Sequence, residues 1–188
     1  VVQNSPVNYY NSSSNSILFN STVNENYNLT NVSLWANFSG TFSINQTNSS
    51  GLRGTDYLFN VASIADGKYV WAVQACDSSS NCNLTANRTI LVDTTYPLID
   101  YGFGTENNYA NFSRNWIYVN VSVTETNEAN VTFTLFNTAS QVNITTLPAG
   151  TRTINWTNLP DENYTYNVTV TDILNHANTS LTRTIKLD

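Results

Sequence analysis

The stretch Asn163-Tyr164-Thr165-Tyr166-Asn167-Val168-Thr169-Val170-Thr171-Asp172 decides how this chain folds. Tyr164, Tyr166, Val168 and Val170 alternate with Thr165, Asn167, Thr169 and Thr171. A period of two sends alternate side chains to opposite faces, so the segment reads as a half-buried β-strand. Val119, Val121 and Val123 alternate with Asn120, Ser122 and Thr124 in the same way. No apolar stripe of helical period persists for three turns, and turn signals such as Ser50-Gly51, Ala65-Asp66-Gly67 and Pro160-Asp161-Glu162-Asn163 punctuate the chain. The pattern predicts strands near residues 16–24, 30–38, 41–46, 55–62, 68–77 and 84–92, then 115–124, 130–137, 140–146, 151–157, 163–172 and 180–187. A short leading strand in each half brings the count to about seven per half.

The opening stretch belongs to a repeat. Asp66 to Asp93 falls on Asp161 to Asp188 at a shift of ninety-five residues without a gap, matching Asp66, Tyr69, Val73, Asp77, Arg88, Thr89, Ile90 and Asp93 to Asp161, Tyr164, Val168, Asp172, Arg183, Thr184, Ile185 and Asp188. Earlier in each half, Asn15, Ile17, Asn20, Val23 and Glu25 meet Asn115, Ile117, Asn120, Val123 and Glu125 at a shift of one hundred. Two homologous units follow, 1–94 and 95–188, divided at Asp93-Thr94-Thr95-Tyr96-Pro97, where proline stops one strand and stiffens entry into the next. So short a joint predicts a semi-rigid connection. About seven antiparallel strands in some ninety residues predict an all-β chain of two tandem immunoglobulin-like β-sandwich domains.

The phrases Asp66-Gly67-Lys68-Tyr69-Val70-Trp71 and Asn87-Arg88-Thr89-Ile90-Leu91-Val92-Asp93-Thr94-Thr95-Tyr96-Pro97, with the weaker copy Thr182-Arg183-Thr184-Ile185-Lys186-Leu187-Asp188, resemble the tandem immunoglobulin-like repeats of archaeal and bacterial cell-surface and extracellular fibre proteins. In that family Val-Asp-Thr-Thr-Pro-Pro commonly joins repeats, and Asp-x-x-Gly-Asn forms the last hairpin. Here Tyr96 replaces the first proline, and neither Cys76–Cys82 nor Asp172–His176 keeps the glycine. The resemblance covers nearly the whole chain and implies a stalk, fibre or adhesin; its motifs specify architecture and not activity.

Asparagine in the frame Asn-x-Ser/Thr recurs seventeen times, at Asn11, Asn20, Asn28, Asn31, Asn37, Asn45, Asn48, Asn83, Asn87, Asn111, Asn120, Asn130, Asn143, Asn155, Asn163, Asn167 and Asn178. The abundance of Asn, Ser and Thr would give roughly seven such N-glycosylation frames by chance. An acceptor frame is useful only outside the cytoplasm, so the chain reads as an extracellular or cell-surface glycoprotein. In Asn120-Val121-Ser122, Asn130-Val131-Thr132 and Asn167-Val168-Thr169 the middle residue is apolar, which buries it while the acceptor and its hydroxyl face outward. Trp35, Tyr109 and Tyr118 precede Asn37, Asn111 and Asn120 by two, placing an aromatic ring where it could stack on the first sugar.

Composition narrows the alternatives. Charged residues are 11% of the chain, against roughly 25% in a typical soluble domain, while hydrophobic residues at 40% suffice for a core. The net charge is −6 with no Lys/Arg cluster, which argues against nucleic acid as a partner. No run approaches the roughly twenty apolar residues of a membrane span, and no charged-then-apolar leader opens the chain, which reads as an excerpt of a mature protein. Cys76 and Cys82 are the only cysteines and predict a disulfide across one hairpin.

Catalytic constellations are missing from the sequence. Its single histidine, His176, is expected as a solvated turn residue, and the pairs Glu125/Glu128 and Asp161/Glu162 sit at expected turns. No phosphate loop, nucleophile elbow or His-Glu-x-x-His occurs, so the chain reads as no enzyme, with no cofactor and no metal set. Calcium is the minor alternative, through Asp93, Asp100 and Asp188 near unit ends or Glu125, Asn127 and Glu128 at one turn, though none follows a known ligand rhythm. A Lys–Asn crosslink through Lys68 or Lys186 is a weaker one still.

The expected function is therefore a non-enzymatic structural glycoprotein, a segment of an extracellular filament or surface stalk, with strand addition to further copies or repeats of itself as one route of assembly. The alternative is an adhesin or carbohydrate-binding module using loops at one end of the sandwich, for which Trp116 and Trp156 are the unassigned tryptophans. Finally, Arg88 and Arg183 share the repeat offset and the strand parity of Ile90 and Ile185. A guanidinium on that side needs a partner, and each is expected to lie on an aromatic ring, Trp71 and Tyr166 respectively or the ring beside it.

Overall fold

The computed structural model describes residues 1–24 and 28–188, so Glu25 of the repeat lies outside it. The chain divides into two compact units, Val1–Thr95 and Tyr96–Asp188. All regular structure among the described residues is β.

In unit 1, β1 (Val2–Ser5), β3 (Ile17–Val23) and β6 (Thr55–Val61) form one sheet. Facing it, β2 (Tyr10–Ser12), β9 (Arg88–Val92), β7 (Gly67–Asp77), β4 (Leu29–Ala36) and β5 (Ser43–Asn48) form the second in that order, with β8 (Cys82–Leu84) also on β7. Unit 2 repeats the plan. Its smaller sheet is β10 (Leu98–Tyr101), β12 (Trp116–Thr124) and β15 (Thr153–Thr157). Its larger one runs β11 (Ala110–Phe112), β18 (Arg183–Leu187), β16 (Asn163–Asp172), β13 (Glu128–Phe136) and β14 (Gln141–Pro148), with β17 (Ala177–Thr179) on β16.

The decisive stretch is β16, and its burial alternates without a break: Tyr164, Tyr166, Val168 and Val170 are buried, while Thr165, Asn167, Thr169 and Thr171 are half-buried. These four join Ile117, Val119, Phe133, Leu135 and Trp156 between the sheets of unit 2. In unit 1 the equivalent core is built on Phe19, Leu34, Tyr57, Phe59, Trp71 and Ile90, with the Phe19 and Trp71 rings edge-on at 4.9 Å. Fully burying one such large side chain contributes roughly 1.5–3 kcal/mol, which is why one inward face per strand suffices to specify the sandwich.

Three strand expectations are corrected. Residues 84–92 and 180–187 hold shorter strands than expected: β9 spans only Arg88–Val92 and β18 only Arg183–Leu187, and separate three-residue strands, β8 at Cys82–Leu84 and β17 at Ala177–Thr179, precede them. The leading strand is likewise split, into β1 and β2 and into β10 and β11, because the chain crosses from the small sheet to the large one. Among the described residues nine strands per unit result, where about seven are legible as alternation. The crossing ends at Tyr9 and Tyr109, whose φ angles of 61° and 65° turn the chain into the parallel pairings β2 with β9 and β11 with β18.

Candidate glycan acceptor surface

The seventeen acceptor asparagines are distributed over strands and loops of both units, and none is buried: nine are exposed and eight half-buried. The in-strand frames follow the pleat. Val121, Val131, Val168 and Trp156 are buried, and each is flanked by an acceptor and a hydroxyl residue on the opposite face. On that outer face the hydroxyls pair across strands. Thr132 meets Thr146 at 2.9 Å, Thr169 meets Thr179 at 2.8 Å, and Ser33 of one frame meets Thr47 of another at 2.9 Å.

Acceptor nitrogens differ in how free they are. Asn20 donates its amide to Asp56 at 3.1 Å, Asn120 to the Phe103 carbonyl at 2.9 Å and Asn178 to the Pro97 carbonyl at 3.0 Å. A sugar on those three has to share or displace a bond of the fold. Asn37 and Asn143 instead accept through their oxygens, from the Val70 amide at 2.7 Å and from Trp156 Nε1 at 3.0 Å, which holds the side chain while leaving its nitrogen out of that bond.

The aromatic partners expected two residues before the acceptor are rearranged. Trp35 gives its indole N–H to Gln74 and packs on Phe42. The positive φ of Tyr109 breaks the extended parity with Asn111. Tyr118 shares the outer face of β12 with Asn120, but the residue directly across from it is Asn155 on β15. That face holds a cleft of about 340 Å³ lined by Gly104, Glu106, Trp116, Tyr118, Asn155 and Thr157. Trp116 and Trp156 therefore separate: the first is at the surface and the second is core.

The two repeat arginines do stack, with one change of ring. Arg88 lies 5.7 Å from the Trp71 centroid, and Arg183 lies 4.1 Å from Tyr101, not Tyr166, because β10 brings Tyr101 edge-on against Tyr166. Both also donate to the crossing segment, Arg88 to the Gln3 and Pro6 carbonyls and Arg183 to the Thr105 and Glu106 carbonyls. A third arginine escaped the sequence reading: Arg114 is sandwiched between Phe112 at 3.9 Å and Trp116 at 3.6 Å and paired with Glu106 at 2.7 Å. Asn8 and Asn108 were also missed, although Asn8-Tyr9 and Asn108-Tyr109 stand at the same hundred-residue offset. Each accepts from the last strand, at the amides of Thr89 and Thr184.

Carboxylates singled out for chemistry hold structure in each unit. Glu128 makes a two-pronged pair with Arg152 and accepts from the Gly150 amide, and the Arg152 bond first, with the Gly150 bond and the guanidinium charge behind it, draws its pKa below the usual value. Glu125 accepts from the Asn127 amide, Asp100 from the Tyr101 amide and Glu162 from Asn137 and Thr138; Asp188 pairs with Lys186. His176 is no solvated turn residue: its ring nitrogen is 2.8 Å from buried Asp172, and its ring lies 4.6 Å from that of Tyr96. Asp172 also receives the Leu174 and His176 amides, as Asp77 receives those of Ser79 and Asn81. Where the resembling family has glycine in this hairpin, Ser80 and Asn175 take positive φ, 66° and 68°. Cys76 and Cys82 are bonded across the unit 1 copy.

No protein-family model and no curated protein matches the chain. Solved structures do resemble it in fold. Fibronectin(III)-like modules of Clostridium thermocellum CbhA match at 15% identity over 99% of this chain and 92% of theirs, with a TM-score of 0.44. The FN1–FN3 domains of chicken CNTN1 match at 13% identity, 100% and 67% coverage and a TM-score of 0.43. A two-domain fibronectin type III segment of chicken tenascin matches at 9% identity, 98% and 95% coverage and a TM-score of 0.40. These are likenesses of fold alone. Among the described residues no helix is long and apolar enough to cross a membrane.

Proposed function

We propose that this chain is a segment of an extracellular structural glycoprotein, in which N-glycosylated immunoglobulin-like domains build a filament or a cell-surface stalk without catalysing a reaction. One observation carries the reading: all seventeen acceptor asparagines reach the surface, in a chain whose frames exceed chance more than twofold. Neutral polar groups and sugar then do for solubility what charge does elsewhere.

The placement of the frames gives the sugar a mechanical and steric role. Among the described residues ten strands pair on one side only, two in each small sheet and three in each large one, and an unpaired edge recruits foreign strands. Frames lie on seven of them: Asn11 on β2, Asn45 and Asn48 on β5, Asn83 on β8, Asn111 on β11, Asn143 on β14, Asn155 on β15 and Asn178 on β17. The other three, β1, β6 and β10, carry none. Assembly by strand addition to further copies of the chain would use one of these bare edges. Glycopeptide mapping of the chain from its native source tests the reading. Sugar on most frames supports it, and sugar on fewer than about a quarter of them removes it. A preparation that binds free glycans through a loop cluster at one end of a unit would favour the adhesin alternative.

A further inference from the structure

We propose that the outer face of unit 2 is a docking site for the chain's own glycan, with the first sugar on Asn155 folding back against the Tyr118 ring in the cleft between β12 and β15. The proposal rests on the acceptor reading of the frames and adds a specific seat for one of them.

The register supplies the geometry. Tyr118 pairs with Asn155 and Trp116 with Thr157, so two aromatics stand directly across from the acceptor and the hydroxyl of a single frame. Directly opposed residues hold their Cβ atoms about 5 Å apart, near enough for a pyranose on the asparagine to lie over the neighbouring ring. Asn155 and Thr157 are exposed because Trp156 between them is buried. Among the described residues Asn155 makes no side-chain hydrogen bond, unlike Asn120 on the same face, whose nitrogen is turned to the Phe103 carbonyl.

The walls suit a sugar. The cleft, about 340 Å³, lies at the lower end of the range for ligand sites. Its aromatic side offers a flat face to the C–H groups of a pyranose, and its other wall carries the Glu106 carboxylate, an acceptor for sugar hydroxyls. Gly104, at φ +88°, lets the backbone close on Tyr118: a Cβ there would come within 3.3 Å of the ring. Arg114, stacked on Trp116 and paired with Glu106, ties the aromatic side to the acidic one, so the site is held before any sugar arrives.

Unit 1 gives an internal control. The same register there pairs Leu18 with Asn60, and Asn60-Val61-Ala62 is not an acceptor frame. The groove beside it is lined by Ser14, Ser16 and Leu18 among others, with neither tryptophan nor acceptor asparagine. Tyr10 lines that groove as well, but it stands on β2, so an aromatic directly across from an acceptor frame occurs at this register in unit 2 and not in unit 1.

The test uses the full chain from a glycosylating host. Glycopeptide mass spectrometry first reads Asn155. If that site is empty, the acceptor reading fails there and the proposal falls with it, whatever the other frames show. With Asn155 occupied, NMR of the glycan is expected to show first-sugar protons shifted upfield by ring current, and Tyr118→Ser to abolish the shift while leaving occupancy intact. Removing the sugar by Thr157→Ala is expected to lower the melting temperature of unit 2 by about 2–6 °C. In a Tyr118→Ser background the same removal should change it little, and Tyr118→Phe should restore the effect, separating a lost platform from a damaged fold. Occupied Asn155 with unshifted sugar protons, or additive effects of the two substitutions, overturns the docking site and leaves the glycoprotein reading standing.

Discussion

Arg88 donates Nη1 to the Pro6 carbonyl at 2.7 Å, eighty-two residues away in sequence. Its other nitrogen reaches Gln3 at 2.8 Å, so one guanidinium ties the last strand to the segment where the first strand changes sheets. Arg183 repeats the tie in unit 2 through Thr105 and Glu106. The accepting carbonyls lie on the edge strand β1 and on the crossing segments, and a planar donor with several N–H groups is the side chain that satisfies two at once. Replacing either with Gln is expected to destabilise its own unit by about 2 kcal/mol, from lost charged hydrogen bonds and lost stacking, as read by urea denaturation. Stability unchanged in both variants would contradict the tie.

The hairpin aspartates should matter more where they are buried. Asp172 is 1% exposed and receives two backbone amides besides the His176 ring. Asp172→Ala is expected to cost roughly 2–3 kcal/mol by leaving those donors unpaired, and Asp172→Asn, which keeps one acceptor oxygen, distinctly less. Equal losses in the two variants would mean that the amides are not the point.

In the unit 1 hairpin the disulfide acts as well. The loop between Cys76 and Cys82 is short, so chain entropy gives the bridge only about 2 kcal/mol. Reductant should lower the unfolding transition of unit 1 by that amount and leave unit 2, which has no cysteine, unmoved. A matching shift in both transitions would show that the units do not unfold independently.

Acid should weaken both units through carboxylates whose folded pKa values are depressed. The bonds of Thr22 and Asn20 lower that of Asp56, the bonds of Asn81 that of Asp77, and the bond of Arg152 that of Glu128. A depressed group contributes its stability above its unfolded pKa and loses it as pH falls through the folded one. The ordinary values are 3.8 for Asp and 4.5 for Glu, so melting temperature is expected to hold down to about pH 4.5 and to decline below it. Glu128→Gln should be less stable at neutral pH and flatter in acid. A variant whose decline matches the parent's would remove Glu128 from this account.

The sequence made legible whatever a single strand could state about itself. Val168 and Val170 announce an inward face without reference to any other strand, and the Asp77/Asp172 and Arg88/Arg183 correspondences announce two copies of one fold. What stayed hidden depends on pairing. β8 and β17 are three residues long, too short for a period to register, and exist because β7 and β16 offer them an edge. The ring under Arg183 is Tyr101 because the strand crossing brings β10 there, a contact between residues eighty-two apart. His176 looked solvated in its turn because Asp172 binds it across four residues and Tyr96 comes from the start of the unit. Tyr118 was matched with Asn120, its neighbour on the strand, when register sets it opposite Asn155. The Asn8 and Asn108 caps could have been found, since the hundred-residue offset carries them openly.

The central claim is that this surface is covered in sugar, and intact mass of these 188 residues produced in a host that N-glycosylates such frames measures it most directly. The polypeptide alone accounts for 20.9 kDa. The account expects a ladder of heavier species that collapses to that mass on chemical deglycosylation, with the residual empty frames concentrated at Asn20, Asn120 and Asn178, whose nitrogens the fold already uses. A single species at the polypeptide mass would contradict it and leave the seventeen frames as an accident of an Asn- and Thr-rich β-sandwich.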